Sequence, residues 1–267
     1  MLYCAVNDQP IDVLSVKNRG FAYGDGLFTT ATIVEGKVAM LSLHLERLIN
    51  GCQQLSLEQP DVSKLKDSIE KIAINYNKAV LKVVITAGDG GRGYSRLGSD
   101  KPTVVISVSA FPQHYPLWQE TGINLGISKL QLGINPMLSG LKHLNRLEQV
   151  LIRQELDRRV EDDLLVTDIN GHIIESSCAN VFWLKEGRWH TPKISNAGVA
   201  GLMRRSILKS LEMVDIDDYM LSELDGLEAM FICNCVMGVV PIKTFNGKLL
   251  SLSKVDAINK LIGEISI

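Results

Sequence analysis

Leu27-Phe28-Thr29-Thr30-Ala31-Thr32-Ile33-Val34 is an apolar, β-branched run. Glu35-Gly36-Lys37 follows as a turn, and Val38 to Leu41 returns. The pattern reads as a β-hairpin. His44 to Leu55 then places apolar residues at Leu45, Leu48, Ile49, Cys52 and Leu55, which is helical spacing. A second amphipathic helix is expected over 62–75, with Pro60 and Asp61 at its start. Val80 to Ala87 and Thr103 to Ser109 read as two further strands, joined by the long Gly-rich loop Gly88 to Asp100.

Phe111-Pro112-Gln113-His114-Tyr115-Pro116 breaks the periodicity and predicts a linker over 111–120. The expected division is a smaller α+β domain over 1–110 and a larger C-terminal domain over 121–267 that carries Lys142. In the second half, strands are expected at 123–130, 163–167, 173–174, 181–184, 188–191 and within 229–242. Helices are expected from Leu144 to Arg159 and from Gly201 to Met213. Strands and hairpins mixed with separate helices point to α+β rather than a regular βαβ repeat.

The chain has 267 residues, 46% hydrophobic and 22% charged, with a formal net charge of -2. This is the composition of a soluble globular protein. It offers no basic field for a phosphate backbone, so nucleic acid is not an expected partner. No export signal is visible at the N-terminus, and the apolar stretch Ala229 to Ile242 is too short to span a bilayer. Five cysteines in a chain of this length read as reduced thiols in the cytoplasm. Cys233-Asn234-Cys235 lacks zinc spacing, and no metal is expected.

Gly88-Asp89-Gly90-Gly91-Arg92-Gly93 matches G-x-G-x-x-G and follows a strand. A dinucleotide site needs a helix to begin there. Pro102 opens another strand too soon for that, so the remaining reading is a loop that brings Arg92 to a ligand. Lys142 arrives after a nearly uncharged stretch, where a helix is expected to begin. A helix N-terminus and an apolar pocket both disfavour the ammonium, and a neutral amine is what condensation with a carbonyl requires. The other reading is a solvated surface lysine. Glu175 ends Ile173-Ile174, before Ser176-Ser177-Cys178-Ala179-Asn180, and a carboxylate there can hold a protonated ring nitrogen.

Five segments together resemble the fold-type IV pyridoxal-phosphate enzymes, the group of D-amino-acid and branched-chain aminotransferases and aminodeoxychorismate lyases. They are Arg19 to Thr30, His44 to Leu48, Lys142 to Arg146, Glu175 to Asn180, and Gly198 to Arg204. The resemblance implies a two-domain, D-amino-acid-aminotransferase-like α+β fold, pyridoxal 5'-phosphate as cofactor, and a homodimer. It assigns Lys142 to the cofactor aldehyde, Glu175 to the pyridine nitrogen, and Arg47 with the amides of Leu202 and Met203 to the phosphate. Asn180 belongs to the same cofactor set. Cys235 stands where relatives often place a Thr or Ser hydroxyl on the phosphate.

Gly90 to Ser95, Lys142 to Gln149 and Phe28-Thr29-Thr30 look most like the lyases of the group. That likeness implies conversion of 4-amino-4-deoxychorismate to 4-aminobenzoate and pyruvate. Lys142 would move protons, and Thr30 or Lys142 would protonate the departing group. Arg92 with Tyr94, and Arg146, would face a small-molecule substrate that carries two carboxylates. The alternative is an aminotransferase acting on D-alanine or branched-chain amino acids.

Overall fold

The computed structural model describes residues 1–99 and 101–263. It divides into two units. The first is Met1–Pro112 with Lys142–Asn145, and the second is Gln113–Leu141 with Arg146–Ile267 as far as described.

The first unit contains β1 (Tyr3–Val6), α1 (Arg19–Tyr23), β2 (Gly26–Val34), β3 (Lys37–Val38), α2 (Leu41–Gln54), α3 (Val62–Ala73), β4 (Lys78–Thr86) and β5 (Thr103–Ala110). Its strands form one antiparallel sheet in the order β1-β5-β4-β2-β3. The hairpin turn has positive φ at both Glu35 (49°) and Gly36 (77°), the handedness that matches strand twist. Alternation along β2 sends Leu27, Ala31 and Ile33 into a core with Leu45, Leu48 and Cys52 of α2 and Leu65 and Ile69 of α3. Phe28 and Thr30 therefore face the other side of the sheet. Asp61 caps α3 by accepting from the Lys64 amide at 3.0 Å.

The second unit contains α4 (Tyr115–Thr121), β6 (Ile123–Ile127), α5 (Leu147–Leu156), β7 (Asp163–Thr167), β8 (Ile173–Ser176), β9 (Asn180–Lys185), β10 (Arg188–Pro192), α6 (Leu202–Ser210), β11 (Val214–Asp217), β12 (Ala229–Asn234), β13 (Gly238–Phe245), β14 (Lys248–Leu249) and α7 (Ser253–Gly263). Its sheet runs β11-β10-β9-β12-β13-β6-β7-β8, with β14 beside β13. It is mixed, because α5 and α6 each cross between parallel neighbours, β6 to β7 and β10 to β11. Buried Trp183 lies in the core on one face of this sheet, and buried Phe182 and Phe231 point to the other face, their rings stacked at 4.9 Å.

Three sequence expectations need correction. The linker expected over 111–120 is largely helix α4, because Pro116 sits in a first turn, where its missing N–H costs no hydrogen bond. Lys142 belongs to the first unit, not to the larger C-terminal domain. Its carbonyl accepts from Phe28 N at 2.9 Å, Leu144 N donates to Gly26 O at 3.0 Å, and His143 pairs antiparallel with Leu27. The segment is thus a short added strand, and α5 begins only at Leu147. Lys142 therefore does not stand at the start of α5, which begins five residues later. The apolar spacing that predicts this helix also misplaces its face. Ile152 and Leu156 are buried, but Leu147, Val150 and Leu151 are 71%, 60% and 47% exposed.

Candidate active site

The candidate residues fall in two sets, one in each unit. In the first unit, the extended Lys142 segment lays the Lys142 ammonium over the Phe28 ring, 4.6 Å from its centroid. Lys82 of β4 approaches the same ring at 4.8 Å. Thr30 is the cross-strand neighbour of Lys82 and is half-buried. The sheet face opposite the core thus carries two ammonium groups, an aromatic ring and a hydroxyl. Gly24 makes this possible. Its φ is +62°, and a Cβ there would lie 2.4 Å from Asn145 Oδ1, the side chain that donates to Gly24 O at 3.1 Å.

Arg47 is half-buried on α2, three residues after His44. His44 is buried with Nδ1 2.6 Å from Thr29 Oγ1. Burial, and then the Arg47 charge, hold the His44 pKa down at about 3, so the ring is neutral near neutral pH.

The Gly-rich loop contains no helix, which removes the dinucleotide reading. Its last residue, Asp100, lies outside the described residues. Arg92 is exposed, and Tyr94 is 89% exposed with its ring edge on Tyr23 at 5.6 Å.

In the second unit, Glu175 is buried on β8, and its Oε2 accepts from Val199 N at 3.0 Å. Asn180 is also buried, and its Nδ2 donates to Val199 O at 2.9 Å. Both polar groups of Val199 are therefore held by candidate side chains. The loop is pinned from its other side as well, with Gly140 N donating to Gly198 O and Ala200 N to Gly140 O. It leads into α6, whose N-cap Gly201 has no side chain to cap the first turn. The first-turn amides of Leu202 and Met203 are thus left for an anion, which the helix dipole favours.

Arg146 is half-buried and donates Nη2 to Leu141 O. Burial pushes its pKa down, and the charges of Glu175 and Glu148 partly oppose this. Cys235 is half-buried in the β12–β13 turn, shaped by Asn234 Oδ1, which accepts from Val236 N and Met237 N.

The residues fit a pyridoxal-phosphate group. Glycine lets the loop before α6 pack closely against β8 and Asn180, since a Cβ at Gly198 would lie 2.6 Å from Ile174 Cγ2 and one at Gly201 only 2.0 Å from Asn180 Oδ1, and this packing sets the first-turn amides of α6 beside Glu175 and Asn180 in the chain's second unit. A buried carboxylate such as Glu175 suits a ring nitrogen that must stay protonated. Phe28 and Lys82 are missing from the sequence-based list. The two-residue alternation of β2 and β4 is the signal that places them beside Thr30.

The amino-transferase class IV model matches residues 26–245. Aminodeoxychorismate lyase of Vibrio harveyi is 37% identical over 241 residues, 89% of each chain. A putative branched-chain-amino-acid aminotransferase of Methanocaldococcus jannaschii is 26% identical over 260 residues, 94% of this chain and 89% of that one. Among solved structures, 4-amino-4-deoxychorismate lyase from Pseudomonas aeruginosa superposes with a TM-score of 0.90 and 30% identity, covering 99% of this chain and 100% of that one. With a fold and a sequence match that agree over nearly the whole length, the chain belongs to the class IV aminotransferase family.

Proposed function

We propose that the protein is a pyridoxal-phosphate-dependent lyase that converts 4-amino-4-deoxychorismate to 4-aminobenzoate and pyruvate, a step toward folate. The observation that carries this reading is the 37% identity to a lyase of that name over 89% of both chains. The structural likeness to a second such lyase supports it.

When bound, the cofactor supplies an aldehyde that takes up the substrate amine and a protonated ring that accepts electrons. Lys142 would hold the cofactor through its aldehyde and would serve as the base for the proton on the amine-bearing ring carbon of the substrate. Its extended segment, fixed to the start of β2, sets the position of the amine. Glu175 keeps the ring nitrogen protonated, and its hydrogen bond from Val199 fixes the orientation of the carboxylate. Arg47 and the amides of Leu202 and Met203 hold the phosphate. Asn180 holds the loop that presents those amides. Cys235 lies at the phosphate end as a weaker donor than a hydroxyl.

Breaking the ring C–O bond releases enolpyruvate and makes the substrate ring aromatic, and the methylene carbon of the enolpyruvate takes a proton from Thr30 or Lys142 to give pyruvate. Arg92, with Tyr94 beside it, receives one substrate carboxylate as a guanidinium can, through two parallel hydrogen bonds. Lys82 is a further cation on the sheet face of Thr30 and Lys142. Arg146, turned toward Leu141 O and Glu175, steadies the cofactor set more than it offers a free guanidinium.

The exposed apolar residues Leu147, Val150 and Leu151 of α5 support a homodimer in which a second copy covers them. The five cysteines, which form no disulfide among the described residues, support a reducing, cytoplasmic location. Among the described residues, no helix is long and apolar enough to cross a membrane.

The test is purified, cofactor-loaded protein given 4-amino-4-deoxychorismate without a keto acid. Pyruvate and 4-aminobenzoate should appear, and Lys142→Ala should lose both product and the visible absorbance band. No product from loaded protein, with amino acids converting the cofactor to its amine form, would favour the aminotransferase instead.

A further inference from the structure

The Gly-rich loop has little apolar anchorage. Tyr94 and Leu97 are 89% and 91% exposed. The loop is held instead by a buried guanidinium. Arg19 of α1 is only 2% exposed. It donates Nη1 to Gly93 O at 3.1 Å and Ser95 O at 3.0 Å, and Nη2 to Tyr94 O at 2.9 Å. Its Nε donates to Asp25 Oδ2 at 2.8 Å. Three consecutive loop carbonyls and one carboxylate therefore satisfy a cation that burial would otherwise penalise heavily.

Asp25 is shared. Arg96, from the loop itself, donates Nε to Asp25 Oδ2 at 2.9 Å and Nη2 to Oδ1, a two-pronged pair. Its Nη1 reaches Leu55 O at 2.6 Å and Ser56 O at 3.2 Å, just past α2. Tyr23 completes the arrangement. Its hydroxyl accepts from Gly93 N at 2.9 Å, and Arg19 lies 4.9 Å over its ring. Burial works against the Asp25 charge, but the hydrogen bonds from Arg96 and then Arg19 outweigh it and hold its pKa below the usual carboxylate range. The pair stays ionised at neutral pH.

This also explains glycines that a nucleotide motif does not. A Cβ at Gly90 would lie 2.8 Å from Arg19 Cδ, and Gly93 has a φ of +90°. The first makes room for the guanidinium stem. The second turns the carbonyl run.

We propose that Arg19, Asp25 and Arg96 are positioning residues for substrate: they lock the Gly-rich loop in the conformation that presents Arg92 to a carboxylate of a dicarboxylate substrate. The assignment rests on the lyase reading. Arg96 is the best handle, because it is the outermost member, its side chain 35% exposed against 3% for Arg19 and 10% for Asp25.

The experiment uses holoenzyme and four variants: Arg96→Gln, Arg96→Lys, Arg92→Gln and the Arg92→Gln/Arg96→Gln double. It reads kcat and KM for 4-amino-4-deoxychorismate, the visible absorbance band, and hydrogen exchange of loop amides by mass spectrometry. Arg96→Gln should speed loop exchange and raise KM about tenfold, the loss of one well-placed charged contact, with kcat and the visible band nearly unchanged. Arg96→Lys should recover part of the KM. In the Arg92→Gln background, Arg96→Gln should add no further rise in KM, because the contact it positions is already gone. Faster exchange with unchanged KM, or KM effects that multiply in the double variant, would overturn the proposal. Wild-type holoenzyme that releases no pyruvate would instead refute the lyase reading, and the exchange data would still report whether Arg96 holds the loop.

Discussion

Gly201→Ala tests the phosphate cradle at a single atom. Gly201 has φ -64° and ψ 140°, a conformation open to any residue, so backbone strain is no obstacle. The obstacle is Asn180, whose Oδ1 would lie 2.0 Å and Cγ 3.2 Å from the new Cβ. Asn180 cannot yield cheaply. It is 5% exposed, and its Nδ2 donates to Val199 O at 2.9 Å. Rotating it away loses that hydrogen bond, about 1 kcal/mol, while crowding the methyl in place costs about 1–3 kcal/mol. The expected loss is therefore about 1–3 kcal/mol, depending on which of the two responses the site adopts, and it is split between stability of the apo-protein and cofactor affinity. Urea unfolding should show a lower midpoint at constant m-value. Titration with pyridoxal phosphate, followed by visible absorbance, should show weaker binding by a factor of about ten per 1.4 kcal/mol. The sharper reading comes from Asn180→Ala. Alone it should cost about 1 kcal/mol through the lost hydrogen bond. In combination it should relieve the collision, so that the double variant is about as stable as Asn180→Ala and better than Gly201→Ala. Costs that simply add would refute the packing argument.

Two other perturbations address the first unit. His44 has a folded pKa of about 3, below the ~6.5 of an unfolded histidine, so the unfolded chain binds the proton first. Its contribution is complete above pH ~6.5 and is lost as the pH falls toward about 3; His44→Gln should flatten that part of the stability–pH curve, and parallel curves would contradict the burial argument. Asp61→Ala removes the acceptor for Lys64 N and should lower stability by about 1 kcal/mol in urea unfolding, with the visible band unchanged.

Local pattern carried much of this molecule. The Leu27–Val34 run, the Glu35-Gly36 turn and the Asp61 cap each depend on residues within a few positions of one another, and each forms as read. The proposed cofactor set rests on resemblance, since Glu175 and Lys142 look like ordinary surface charges in isolation. The pinning of Val199 by both Glu175 and Asn180 has no sequence signal, because it joins residues nineteen or more positions apart.

Sequence alone thus determined many of the strands and helices, and the family, because periodicity and turn chemistry are local and motif spacing survives without coordinates. Tertiary structure decided the rest. It drew Lys142 out of its expected helix, because backbone groups of Gly26 and Phe28 beyond the core sheet could be satisfied by an added strand. It turned the apolar face of α5 outward. It gave the Gly-rich run its role, because a buried Arg19 needs acceptors, and three loop carbonyls some seventy-five residues away supply them.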